Sequence, residues 1–303
     1  MDRITFVEPQ ISKFQLTYFG RDADQNRLDM YDGAASFYGF ARTVAILGHF
    51  YSTGTINAHA PRSEVKVYLE PSEEGSYKQV IAAAALGAVV STPLTVFITR
   101  ALDDWIPAPD GQTQQIIDLL KEQNDLLKEG AAKGASEPTR DEVEAADHFI
   151  ETNKDKVEVM RSITANSFKD VFRPVGKSAD YVGVSCGPTR VPVGVVNERA
   201  LRLIEADRPD DEVVSLLAVV TSFSRSSKTG VAFSKDVGRG FRFEYSHTER
   251  LPAEDDFSWS QYRQKPIRLN GRFVRFFDGK IKKLVVYSAA RLTDYEISEY
   301  ARP

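Results

Sequence analysis

Hydrophobic and polar positions change period several times along this chain, and each change marks an element. Phe14, Leu16 and Tyr18 alternate with polar neighbours, the period of a half-buried strand. After a polar turn at Gly20–Asn26, Tyr31, Ala34, Ala35, Tyr38, Ala41, Ala45 and Leu47 recur at helical spacing from about Met30 to Tyr51, with Asp29 placed as N-cap. Val65, Val67 and Leu69 alternate again, and Pro71–Gly75 has turn composition.

The pattern then stops. Val80 to Ile98 carries no charge, between Lys78 and Arg100. As one helix, this run would be roughly 28 Å long, close to the hydrocarbon thickness of a bilayer. Ala83, Gly87, Ser91, Thr95 and Thr99 recur every four residues, so such a helix has a face of small and hydroxylated side chains. Gly87, Ser91, Thr95 and Thr99 are the candidate pore or helix-contact positions. Pro93 would kink the helix, and Trp105 stands where an interfacial aromatic belongs. The abundance of Ala, Gly, Ser and Thr makes insertion marginal. Two readings stay open: a span formed within an assembly, or a buried core helix of the N-terminal domain.

Beyond the rigid break Trp105–Gly111, the stretch Gln112–Glu129 is amphipathic, with Ile117, Leu120, Asn124 and Leu127 at a, d, a, d spacing. It either aligns subunits or packs Ile116, Leu119 and Leu120 on its own domain. Gly130–Pro138 has linker composition and is taken as the domain boundary. A charged helix is expected from Thr139 or Asp141 to about Phe172, then short strands at Tyr181–Ser185 and Val191–Val196 and a helix near Asn197–Ala206. From Val213 onward five strands are expected: Val214–Phe223, Val231–Ser234, Gly240–Tyr245, Pro266–Phe277 and Lys282–Tyr287. Ser224–Gly230 is a hairpin turn, and Asp278-Gly279 signals a type I′ hairpin. Their spacing points to a small barrel, OB-like or SH3-like. The fold class is therefore α+β. An N-terminal α+β domain (1–77) precedes the apolar, transmembrane-length segment (78–106) and an amphipathic helix with linker (107–138). A helical and mixed connecting region (139–210) leads to the C-terminal β domain (211–303).

Composition narrows the function classes. A mean hydropathy of -0.32 over 303 residues excludes a mostly membrane-embedded chain. No signal-peptide-length apolar run opens the sequence, and Cys186 is the one cysteine, so no internal disulfide or multi-cysteine metal cluster is expected. Cytoplasmic placement of the polar parts follows. His49, His59, His148 and His247 lack metal-ligand spacing, Asp22 and Asp24 lack a calcium-loop pattern, and Gly238-Arg-Gly240 lacks the context of a phosphate loop. No catalytic residue, metal or cofactor is expected, and Cys186 is expected to be a small buried apolar group.

Charge is uneven, and this redirects attention to the C-terminal region. Net charge is -4, yet Asp211–Arg291 holds fifteen Lys and Arg against nine Asp and Glu. Arg225, Lys228, Arg239, Arg242, Arg268, Arg272 and Arg275 interleave with Phe223, Phe241, Phe243, Tyr245, Phe273 and Phe276. Cations for phosphates and aromatic faces for bases are what single-stranded nucleic acid requires. The seven cations and Phe273 are the candidate DNA-oligomer contacts. Alternatively, the aromatics fill the barrel and the arginines are solvated.

The block Gly20-Arg-Asp-Ala-Asp-Gln-Asn-Arg-Leu-Asp-Met-Tyr-Asp-Gly33, continued by Tyr38-Gly-Phe-Ala-Arg-Thr43 and Glu74-Gly-Ser-Tyr77, resembles an N-terminal domain of uncharacterised bacterial proteins. The order of N-terminal domain, apolar segment, helical linker and β domain is similar to the membrane effector of the Hailong antiphage defence system. That resemblance implies a homo-oligomeric, tetrameric ion channel in the bacterial inner membrane with cytoplasmic domains, regulated by single-stranded DNA oligomers from a partner nucleotidyltransferase. The expected function is thus a DNA-oligomer-regulated pore, and not an enzyme. The alternative is a soluble cytoplasmic nucleic-acid-binding or regulatory protein whose apolar helix is core.

Overall fold

The computed structural model describes residues 11–58, 65–69, 78–85, 91–130, 138–186, 191–246, 255–293 and 296. The chain is mixed α+β and divides into two units, Met1–Asn153 with Thr164–Glu205, and Lys154–Ile163 with Ala206–Pro303.

The first unit is built on strands β1 (Ile11–Phe19), β2 (Val65–Leu69), β3 (Lys78–Ala85), β4 (Tyr181–Cys186) and β5 (Val191–Asn197). They form an antiparallel sheet in the order β2-β3-β1-β4-β5. Helix α1 (Met30–Thr53) covers the Phe14, Leu16 and Tyr18 face, with Phe14 edge-on to Phe40 at 5.7 Å and the Tyr18 hydroxyl 2.8 Å from that of Ser36. Asp29 caps α1 as the sequence predicts, accepting from the Tyr31 and Asp32 amides. The polar turn is a short 3-10 helix, Arg21–Gln25. Gln15 and Thr17, on the other face of β1, are also buried, so both faces of this strand are covered.

The uncharged run does not form one helix. Its first part is β3, hydrogen-bonded to β1 on one edge and β2 on the other, with Ile81 opposite Phe14. Its second part opens helix α2 (Ser91–Trp105). A continuous apolar run can be a buried strand or a buried helix, and length alone does not separate them. Sheet pairing overrides the helix preference of the alanines here. Pro93 sits in the first turn of α2, where its missing N–H has no intrahelical role. No described helix is long and apolar enough to cross a membrane. Helix α2 is a core helix: Leu94, Phe97, Ile98, Leu102 and Trp105 are buried, and Phe97 packs with Phe50, Tyr51 and Phe149 at 5.2–6.2 Å. Trp105 is no interfacial anchor. It lies edge-on to Phe168 at 5.6 Å.

Helix α3 (Gly111–Gly130) lays Ile117 and Leu120 on Val195, with Phe19, Ile116 and Tyr181 around them. This is packing on its own unit, although Leu119 points outward at 59% exposure. The side chains of Asn124 and Leu127 and the linker residues 131–137 lie outside the described residues, as do the expected turn 71–75 and Gly87. The expected long charged helix is two, α4 (Arg140–Thr152) and α5 (Lys154–Val171), parted at Asn153. A capping box between Thr139 and Glu142 starts α4. Helix α6 (Glu198–Glu205) ends the unit.

The second unit holds β6 (Arg208–Pro209), β7 (Val214–Ser224), β8 (Thr229–Ser234), β9 (Arg239–Tyr245), α7 (Asp256–Arg263), β10 (Ile267–Arg275) and β11 (Ile281–Arg291). The five long strands close in the order β7-β8-β9-β11-β10 and back to β7, with β9 and β11 parallel and β6 added at an edge. With α7 between the third and fourth strands, these are the connections of an OB barrel rather than an SH3-like one. Closure requires Gly271: a Cβ there would stand 2.2 Å from the Val285 carbonyl oxygen, at a register shift between β10 and β11. The Asp278-Gly279 hairpin is not type I′. Only Gly279 has positive φ (83°), and Gly279 and Phe276 donate to the carbonyls of Phe276 and Lys280, as in a type I turn closed by a glycine bulge.

Candidate nucleic-acid interface

The barrel interior takes the aromatics. Phe241, Phe243, Phe257 and Phe273 are buried with Leu216, Val220, Ile267, Leu269, Leu284 and Val286. Phe223 stacks on Phe243 at 5.8 Å, and Phe241 meets Phe273 edge-on at 5.8 Å. Phe273 is therefore core, and its ring is not presented to a ligand. This is what period-2 alternation dictates: residues flanked by outward arginines point inward.

The basic residues do not converge on one surface. Arg275 forms a two-point pair with Asp210 (2.7 and 2.8 Å) and donates to the Gly279 carbonyl. That contact holds the Asp210 carboxyl below the ordinary range. Arg268 and Arg272 stand on the outer side of β10. Arg268 is held by Glu296 at 2.6 Å, while Arg272 is exposed without an ion pair among the described residues. Arg225 and Lys228 lie in the β7–β8 turn, where Arg225 reaches the buried Asp255 carboxylate at 2.6 Å. Asp255 also caps α7 by accepting from the Ser258 amide at 2.7 Å, so the helix end orients the arginine.

Arg239 and Arg242 have a different fate. The N-terminal part of α5, residues 154–163, belongs to the barrel unit and lies over the outer side of β9. Glu158 pairs with Arg239, the Ser162 carbonyl accepts from Arg242 at 3.0 Å, and the Cβ position of Gly240 is 3.5 Å from Val159. Arg161 is 4% exposed, donates to Asp278 at 2.5 Å and sits 4.2 Å above the Phe276 ring. Burial lowers the pKa of both Arg239 and Arg242 from the usual arginine value.

Among the described residues, what stays open is the outer side of β7 and β8. Phe233 is 42% exposed between buried Ala232 and Ser234, with Val219 on one side and Gly240 on the other in the sheet. Phe233 is not among the sequence candidates, yet its outward register on Val231–Ser234 is legible once Ala232 and Ser234 are assigned inward. Arg225 and Lys228 close one end of this face, and Lys235 stands exposed at the other.

The remaining candidates offer no such surface. Thr95 is buried, and the half-buried Thr99 donates its hydroxyl to the Thr95 carbonyl at 2.8 Å within α2. The Ser91 side chain and Gly87 lie outside the described residues. Burial pushes the Cys186 thiol up to about 12, far from a nucleophile. His49 is buried beside Thr53 and Thr55, and no three described His, Cys, Asp or Glu residues could hold a metal ion. A cleft lined by Pro107, Asp110, Thr113, Asn197 and Arg199 has its carboxylate engaged, since Asp110 accepts from the Thr113 amide (2.9 Å) and Asn197 (3.2 Å).

Residues 14–201 match a domain of unknown function, DUF7946, and the chain belongs to that family. The matched region runs from β1 into α6 and leaves the barrel strands outside it. No curated protein and no solved structure matches the chain.

Proposed function

We propose that this DUF7946-family protein is a binding protein, not an enzyme, and takes short single-stranded nucleic acid on the outer face of β7 and β8. The observation that carries this reading is Phe233, an exposed aromatic ring on the second strand of an OB-connected barrel. Of the places where OB barrels receive oligonucleotides, the second strand and the turn between the first two are uncovered here, while the third strand, β9, lies under residues 154–163. Thr229, the first residue of β8 after Lys228, and Phe233 lie four residues apart, about 13 Å at ~3.3 Å per residue, room for a few nucleotides. Bases stack on the ring while Arg225, Lys228 and Lys235 meet phosphates.

The wider role implied by the Hailong resemblance, a DNA-oligomer-regulated tetrameric channel in antiphage defence served by a partner nucleotidyltransferase, uses the same ligand. It needs a membrane-crossing element in addition, and no described helix supplies one. Flotation with liposomes separates a membrane-inserted effector from a sensor acting away from the bilayer.

The direct test is fluorescence anisotropy with labelled single-stranded DNA of a few nucleotides to about twenty, titrated at several salt concentrations. Binding should weaken as salt rises. Phe233→Ala should lose about tenfold in affinity, within the range of one stacked base. Salt-independent binding, or full affinity in Phe233→Ala, would overturn the reading.

A further inference from the structure

Within the barrel unit, the α5 segment 154–163 rests on the strand that continues the proposed binding face. Its contacts are electrostatic where nucleic acid would be: the Glu158 carboxylate on Arg239, the Ser162 carbonyl on Arg242, and Asp155 as a further negative charge acting on Arg239. Val159 fills the space over Gly240, the cross-strand neighbour of Phe233. An acid, a carbonyl oxygen and an apolar side chain thus lie on the outer side of β9, one strand away from the exposed ring.

We propose that residues 154–163 are an internal competitor for the ligand, covering Arg239 and Arg242, and that these two arginines become phosphate contacts when the segment is displaced. Exchanging the Glu158 carboxylate for a phosphate on the partly buried Arg239 changes little net energy, because the desolvation of the cation is already in place. Displacement also breaks the Arg161 contacts with Asp278 and Phe276, so it requires the incoming strand to gain more on β9 than the segment gives up. A ligand confined to β7 and β8 binds without moving the segment. A longer one reaches β9 and releases it. This inference rests on the single-strand reading of the β7–β8 face.

The test compares the full chain with Glu158→Gln/Val159→Ala, which removes the acid and trims the packing over Gly240. Glu151→Gln, on the exposed side of α4, serves as the equal-charge control. The loosened variant should bind a twenty-nucleotide strand about tenfold more tightly. Its log–log salt slope should be steeper by about 1.4, the value for two further phosphates on a single strand. Introduced into the loosened variant, Arg239→Gln should erase that gain. Unchanged affinity in the loosened variant, or a gain that survives Arg239→Gln, overturns the competitor role and leaves the β7–β8 reading standing. Absence of binding in every variant overturns both. Hydrogen exchange on the wild-type chain gives a second measurement independent of variant folding: a saturating twenty-nucleotide strand should speed exchange of the 154–163 amides, and slowed or unchanged exchange overturns the proposal.

Discussion

The sheet of the first unit and the barrel of the second use the same period-2 alternation to different ends. In the sheet, β1 buries Phe14, Leu16 and Tyr18 on one side and Gln15 and Thr17 on the other. Polar residues there serve the interior, as where the Gln15 amide donates to the Thr17 hydroxyl at 2.8 Å. In the barrel, one side of each strand fills the core and the other faces outward, covered by α5 over β9 and open over β7 and β8. Coverage, not charge count, locates the candidate interface. Most of the arginines that make this the basic region are tied to carboxylates or carbonyls of their own unit.

The comparison breaks most visibly at Cys186. Its raised pKa of about 12, set against an ordinary ~8.5, leaves a thiolate fraction lower by roughly three decades near neutral pH. Alkylation by iodoacetamide at pH 7.5 should be slower than in urea by about that factor or more. Rapid labelling of the native chain would mean that the sheet is not covered on the α2 side.

Two core truncations come next. Phe97→Ala and Phe243→Ala each remove a fully buried ring and should each cost about 3–5 kcal/mol. The two tryptophans report separately, Trp105 buried in the first unit and Trp259 beside Arg291 in the barrel. In single-tryptophan variants, Phe97→Ala should lower the urea midpoint seen by Trp105, and Phe243→Ala that seen by Trp259. Equal shifts of both reporters in both variants would show one cooperative block in place of two cores.

Phe233→Ala belongs to the open face and should change stability by less than about 1 kcal/mol while reducing affinity, the reverse of Phe243→Ala. A large loss of stability with no loss of affinity would move Phe233 from the interface to the core.

The smallest effect is the pH dependence of the barrel edge. The Arg275 hydrogen bonds depress the folded-state pKa of Asp210. Its contribution is complete above the unfolded carboxylate value of about 3.9 and is lost as pH falls through the lower folded value. Urea midpoints of wild type should therefore fall more steeply below pH 4 than those of Asp210→Asn, and parallel curves would remove this pair from the stability of the edge.

Much of this was written locally. Asp29 before Met30, the alternation at Phe14–Tyr18 and at Val65–Leu69, and the five C-terminal strands are properties of neighbours in sequence, and the structure has them in place. The α+β class and the barrel follow from them. Tertiary structure decided what depends on partners distant in sequence. The uncharged run from Val80 became a strand and a helix because β1 and β2 offered both of its edges hydrogen bonds, a choice that no count of charges reveals. By sequence Arg239 and Arg242 are surface cations, but in the fold residues 154–163, some eighty positions earlier, lie on them. Hydrophobic period is set within a few residues, whereas coverage of a face is set by whatever segment the fold returns to it.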